Sequence, residues 1–152
     1  MKNEQYSCRA VELFLEGYNC AQAVYGAFAP LVGREEKEAL RISSAFGGGF
    51  GRMREVCGAF SGITLVLGDL FGYSDLESDN KAKLYPIVQE LGKRFAEENG
   101  ALRCSELLKG KASAMGNASP RTKEFYATRP CAVIVERAAN ILSVYLEEEG
   151  IL

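Results

Sequence analysis

The chain has 152 residues, 47% of them hydrophobic, which predicts one domain over residues 1–152 with a sizeable core. Its 18 basic and 20 acidic residues give a net charge of -2, and no basic block or long apolar stretch occurs, so neither nucleic-acid binding nor membrane insertion is expected. The polar N-terminus has no secretory signal, which predicts a cytoplasmic protein, and the lack of histidine excludes Ser/His and Cys/His hydrolase mechanisms.

Helical periodicity begins near the N-terminus. An apolar stripe predicts a helix over about residues 3–16 that stops at Gly17. A second helix is expected to begin at Cys20, with Asn19 as its N-cap. A short surface helix over about residues 34–45 should follow and end in the glycine-rich run 47–51, which predicts a turn or a close backbone approach.

The almost wholly apolar segment 57–71 fits either a buried helix or a central strand. Its length and the lack of strand partners elsewhere favour the helix, in which Gly58 and Gly62 would let a second helix approach closely. Another helix is expected over about residues 75–98, bent or split by Pro86, and it should end at 99–100.

The C-terminal third begins with one short helical turn at 104–108. The stretch 110–129 has the composition of a loop, and Arg129 and Pro130 should open a final amphipathic helix. The predicted fold class is therefore all-α, a compact helical bundle of about five to seven helices.

Four of the five cysteines fall at or near predicted helix starts. A helix N-terminus stabilises an anion and lowers the pKa of a thiol, so these side chains are candidates for reactive thiolates: Cys20, Cys57, Cys104 and Cys131. Cys57 is expected to be the most reactive because Arg52 and Arg54 are close to it in sequence. Cys8 lies within the first helix and is expected to be an inert, buried thiol outside any cluster.

The residues around these four cysteines resemble the C_GCAxxG_C_C family. The resemblance runs from about Tyr18 to the last helix and is carried by segments 17–24, 57–62, 104–108 and 130–131. It implies a redox-active protein that works through Cys20, Cys57, Cys104 and Cys131, and it implies no particular substrate. A more distant similarity to the amino-terminal part of split-Soret cytochromes implies that a metal centre is an alternative.

Three functional hypotheses remain open. The favoured one is a redox protein whose thiols cycle with a disulfide, because exchange needs only two neighbouring sulfurs. In the second, the four thiolates hold zinc or an iron–sulfur cluster. In the third, the chain is a helical interaction protein with inert cysteines. The first two hypotheses both predict that at least three of the four cysteines meet in one cluster.

Other features are less specific. The glycine-rich run 47–51 with Arg52 and Arg54 could bind an anion, but it matches no phosphate-loop or dinucleotide pattern, so a turn is the simpler interpretation. The redox partner and the oligomeric state, a homo-oligomer included, are left open by the sequence.

Overall fold

The computed structural model describes residues 3–109 and 115–152, and over these residues it is all-α, as predicted. Six of its eight α-helices have seven residues or more. The elements are α1 Glu4–Glu16, α2 Cys20–Ala27, α3 Glu36–Ile42, a 3-10 helix Ser44–Phe46, α4 Gly58–Phe71, α5 Asn80–Asn99, α6 Cys104–Leu107, α7 Lys123–Thr128 and α8 Cys131–Glu148.

The short helix α2 lies at the centre of the bundle. It packs against α4 on one side and α1 on another, while α1 also packs along α8. Tyr25 and Phe28, at the C-terminal end of α2, are almost fully buried together with Phe14 of α1 and Phe95 of α5. Because α2 is enclosed in this way, its first residue, Cys20, is held where several other helices begin.

Close packing of α4 on α2 depends on Gly62. A Cβ atom at this position would lie 2.8 Å from the Val24 Cβ and 3.0 Å from the backbone oxygen of Ala21. The segment is a helix rather than a strand, and the predicted close approach is confirmed. No helix among the described residues combines the length and the apolar character needed to cross a membrane.

The end of α1 and the start of α2 lie at the predicted capping residues. Gly17 ends α1 with a φ of 117°, a conformation that glycine adopts without strain. The Asn19 side chain accepts a hydrogen bond from the Gln22 backbone N–H, and the Gln22 side chain accepts one from the Asn19 N–H. This reciprocal capping box fixes the start of α2 at Cys20.

Helix α5 begins later than predicted and is not split by Pro86. The Asp75 side chain accepts a hydrogen bond from the Glu77 N–H at 3.0 Å, which closes a local turn before the helix starts at Asn80. Pro86 removes one backbone donor, but the helix continues because Leu91 and Phe95 anchor it in the core.

Helix α7 lies within the stretch that was predicted to be a loop, so that prediction is wrong for residues 123–128. The Thr122 side chain caps the helix by accepting from the Phe125 N–H at 3.1 Å. Phe125 and Tyr126 then pack against Phe14, with ring centroids 6.3 and 5.9 Å away. Six residues are too few for a helical period to be recognised. Residues 110–114 of the predicted loop lie outside the described residues.

Candidate functional site

A cavity of about 320 Å³ lies where four helices begin. Its wall includes four cysteines, Cys20, Cys57, Cys104 and Cys131. Three of them are the first residues of α2, α6 and α8, and Cys57 immediately precedes α4. The prediction that these residues lie at helix starts is confirmed, and all four line one cavity.

Cys57 and Cys104 are neighbours because two chain segments pair locally. An isolated antiparallel bridge joins Val56 to Arg103. The Cys57 N–H donates to the carbonyl of Leu102 at 2.9 Å, and the Cys104 N–H donates to the carbonyl of Glu55 at 2.6 Å. The two side chains are buried, with 5% and 7% of their surfaces exposed.

The glycine-rich run supports the same corner of the cavity. Gly49 has a φ of 72°, and a Cβ atom there would lie 2.8 Å from the Cys104 Cβ and 2.6 Å from the Glu55 backbone nitrogen. The predicted close approach of this run is therefore confirmed. It leads the chain to Arg54, a buried side chain whose Nη1 lies 3.5 Å from the Cys104 Sγ.

Cys20 and Cys131 form the second pair of neighbouring thiols, and each shifts the pKa of the other. The interaction with Cys20, with the positive charges of Arg129, Arg121 and Arg54, lowers the pKa of Cys131 to about 7 against the opposing effect of burial. The interaction with Cys131 and burial raise the pKa of Cys20. The thiolate is therefore favoured at Cys131 and the neutral thiol at Cys20.

Cys57 differs from the sequence-based expectation. Burial raises its pKa to about 12, and its interactions with the backbone N–H groups of Ala59 and Phe60 offset only part of that effect. The expectation that Cys57 is the most acidic thiol is wrong. The expectation rested partly on Arg54, but the side chain of Arg54 donates to Cys104 instead. At Cys57, the effect of burial on the pKa outweighs the opposite effect of the helix N-terminus that follows it.

Cys8 lies on α1 and is not part of the cavity wall. Its position outside the cluster is confirmed. Its side chain is exposed, however, so the expectation of a buried thiol is wrong. The face of α1 that enters the core carries Ala10, Leu13 and Phe14, and Cys8 falls on the other face.

Two arginines that the sequence reasoning missed also line the cavity. Arg121 donates to the carbonyls of Phe14 and Tyr18 at 3.0 and 2.7 Å. Arg129 donates to the Ser119 Oγ at 3.3 Å. Arg129 is only two residues before Cys131, and this proximity was the signal that could have identified it.

The structure shows neither a disulfide nor a metal-binding group among the described residues. Within 3–109 and 115–152, no three His, Cys, Asp or Glu side chains form a group that could hold a metal ion. All five cysteines are free thiols.

A family model described as "Putative redox-active protein (C_GCAxxG_C_C)" matches residues 18–145. The matched region contains all four cysteines of the cavity and excludes Cys8. No curated protein and no solved structure matches the chain.

Proposed function

Because the chain belongs to the C_GCAxxG_C_C family of putative redox-active proteins, we propose that its redox chemistry is thiol–disulfide exchange by Cys131 and Cys20. The observation that supports this most directly is the pair of neighbouring thiols at the cavity wall, in which the arginines around Cys131 and the interaction with Cys20 lower the pKa of Cys131 to about 7. A thiolate is the form that attacks a disulfide, and a second thiol within reach completes the exchange.

The proposed reaction proceeds in two displacements. The Cys131 thiolate attacks one sulfur of a substrate disulfide, which forms a mixed disulfide and releases the other half of the substrate as a thiolate. That thiolate takes the proton of Cys20, whose sulfur then attacks the Cys131 Sγ and releases the second half as a thiolate. The substrate disulfide gains two electrons, and the protein dithiol is oxidised to a Cys20–Cys131 disulfide.

A pKa near neutrality suits the attacking role of Cys131. At pH 7 about half of such a thiol is ionised, compared with about 3% of a thiol with a pKa of ~8.5. The lower basicity reduces intrinsic nucleophilicity about fivefold, so the net gain in rate is about threefold. The larger advantage comes from having Cys20 adjacent, since the second displacement is then intramolecular.

The proposal predicts a specific oxidation product. The reduced protein, treated with bis(2-hydroxyethyl) disulfide, should lose two of the four thiols at the cavity and form a disulfide between Cys20 and Cys131, in addition to any reaction of the exposed Cys8. Thiol titration gives the count, and mass spectrometry of proteolytic fragments identifies the linked pair. Dithiothreitol should restore both thiols, and a Cys8→Ser variant should form the same bond. A disulfide confined to Cys57 and Cys104 would contradict the assignment.

The pH dependence of alkylation provides a second prediction. The rate of Cys131 alkylation by iodoacetamide should rise with pH, because only the thiolate reacts, and should level off above a midpoint near 7. Cys57, whose pKa is raised to about 12, should remain unmodified over the same range. Peptide-resolved mass spectrometry follows both residues in one sample. A Cys131 midpoint at the ordinary value of ~8.5 would show that the nearby charges do not act on it.

A further inference from the structure

The cavity wall carries an excess of positive charge. Four arginine side chains line it, those of Arg52, Arg54, Arg121 and Arg129, and no Asp or Glu occurs among its described lining residues. Residues 110–114 contain no acidic residue in their sequence either. Arg121 and Arg129 alone bring two positive charges to the wall, of which a thiolate at Cys131 would offset one. The wall therefore attracts a further anion.

Arg129 is a partly buried cation of this wall. Its guanidinium carbon lies 4.4 Å from the centre of the Phe125 ring, and the side chain is only partly exposed. Burial and repulsion from Arg54 and Arg52 lower its pKa. It forms no ion pair with an Asp or Glu of the described residues. A bound anion would relieve the cost of this partly buried charge.

Arg121 is held in place before any ligand arrives. Its guanidinium carbon lies against two rings, 4.6 Å from the centre of Phe14 and 4.8 Å from that of Phe125. Its hydrogen bonds to two backbone carbonyls fix it further, yet they leave its charge without an acidic partner among the described residues. A cation ordered in this way loses little side-chain entropy when it binds an anion.

We infer that the cavity binds small anionic disulfides, compounds that carry a carboxylate close to the sulfur–sulfur bond, with the carboxylate held by Arg129 and Arg121 and a sulfur facing Cys131. Guanidinium groups bind carboxylates through paired hydrogen bonds, and a cavity of about 320 Å³ suits a small molecule. The choice of a disulfide rests on the proposed function, whereas the preference for an anion rests on the charges alone.

Three disulfides of similar length but different charge test the substrate class. Dithiodipropionate is a dianion, bis(2-hydroxyethyl) disulfide is neutral and cystamine is a dication. The second-order rate of Cys131 oxidation should fall in that order, by at least about tenfold from the first to the last. Equal rates, or the reverse order, would overturn the inference. Raising the sodium chloride concentration should slow the dianion and leave the neutral compound unaffected.

Alkylation separates the anion site from the disulfide chemistry. The same thiolate displaces iodide from iodoacetate and from iodoacetamide. The ratio of the two rates at Cys131 is therefore independent of the pKa of Cys131, and it reports only the preference of the cavity for a negatively charged reagent. Arg129→Gln should lower the ratio about fivefold. Arg41→Gln removes the same charge from an exposed position outside the cavity and should leave it unchanged. Circular dichroism checks that both variants are folded. The sodium chloride series uses the wild-type protein, so its result does not depend on the folding of any variant.

The two experiments fail in different ways. A preference for iodoacetate without any disulfide exchange would keep the anion site and overturn the proposed function together with the disulfide substrate. Disulfide exchange with no charge preference in either experiment would overturn the anion inference and leave the proposed function standing.

Discussion

Replacing Cys131 with serine is expected to abolish disulfide exchange at the cavity. A serine hydroxyl fits the space of the thiol but does not ionise near neutral pH and cannot form a disulfide. The variant should retain its helical circular dichroism and its thermal transition, because Cys131 is the first residue of α8 and only partly buried. Stopped-flow measurement of thiol release from bis(2-hydroxyethyl) disulfide should show no reaction in excess of that from the exposed Cys8.

Cys20→Ser should stop the reaction at a later point. The arginine charges that act on Cys131 are unchanged in this variant, so the first displacement should proceed and release one thiol per protein. The mixed disulfide on Cys131 should then accumulate, which intact-protein mass spectrometry detects. Cys8→Ser provides the control, since this thiol is exposed and lies outside the cavity. If the Cys131→Ser variant still carried out full disulfide exchange and a Cys57→Ser variant carried out none, the attacking thiol would be Cys57 and not Cys131.

Gly62→Ala is expected to lower the free energy of unfolding by about 1–3 kcal/mol. The new methyl group would lie 2.8 Å from the Val24 Cβ and 3.0 Å from the backbone oxygen of Ala21, and neither atom belongs to a flexible side-chain end. Helices α2 and α4 must therefore separate slightly. Alanine favours the helical state by up to ~1 kcal/mol relative to glycine, which is too little to compensate for the clash.

Gly68→Ala is the matched control for this packing effect. Gly68 lies in the same helix, its position is exposed, and a Cβ atom there would meet nothing within 4 Å. This variant should gain about 0.5–1 kcal/mol, because alanine loses less backbone entropy on folding. Urea denaturation followed by circular dichroism measures both changes. Equal effects of the two substitutions would show that α4 does not approach α2 as closely as the structure has it.

Local signals were sufficient to predict most of the helices and the placement of the cysteines. Asn19 and Gly17 act on atoms within four residues of themselves, so the end of α1 and the start of α2 could be located from sequence. The long apolar stripes likewise reported which segments are helical. Helix α7 was missed because its six residues are stabilised by contacts with Phe14, more than a hundred positions earlier.

That four cysteines lie at helix starts could be predicted from local sequence, because a helix start depends on neighbouring residues. Which of them is acidic depends on the three-dimensional arrangement. Cys57 has two arginines nearby in sequence, but burial raises its pKa. The pKa of Cys131 is lowered by the neighbouring Cys20 and by the charges of several arginines, contributed by segments far apart in the chain. The pKa of a thiol depends on charges and burial in three dimensions, and sequence distance reports neither.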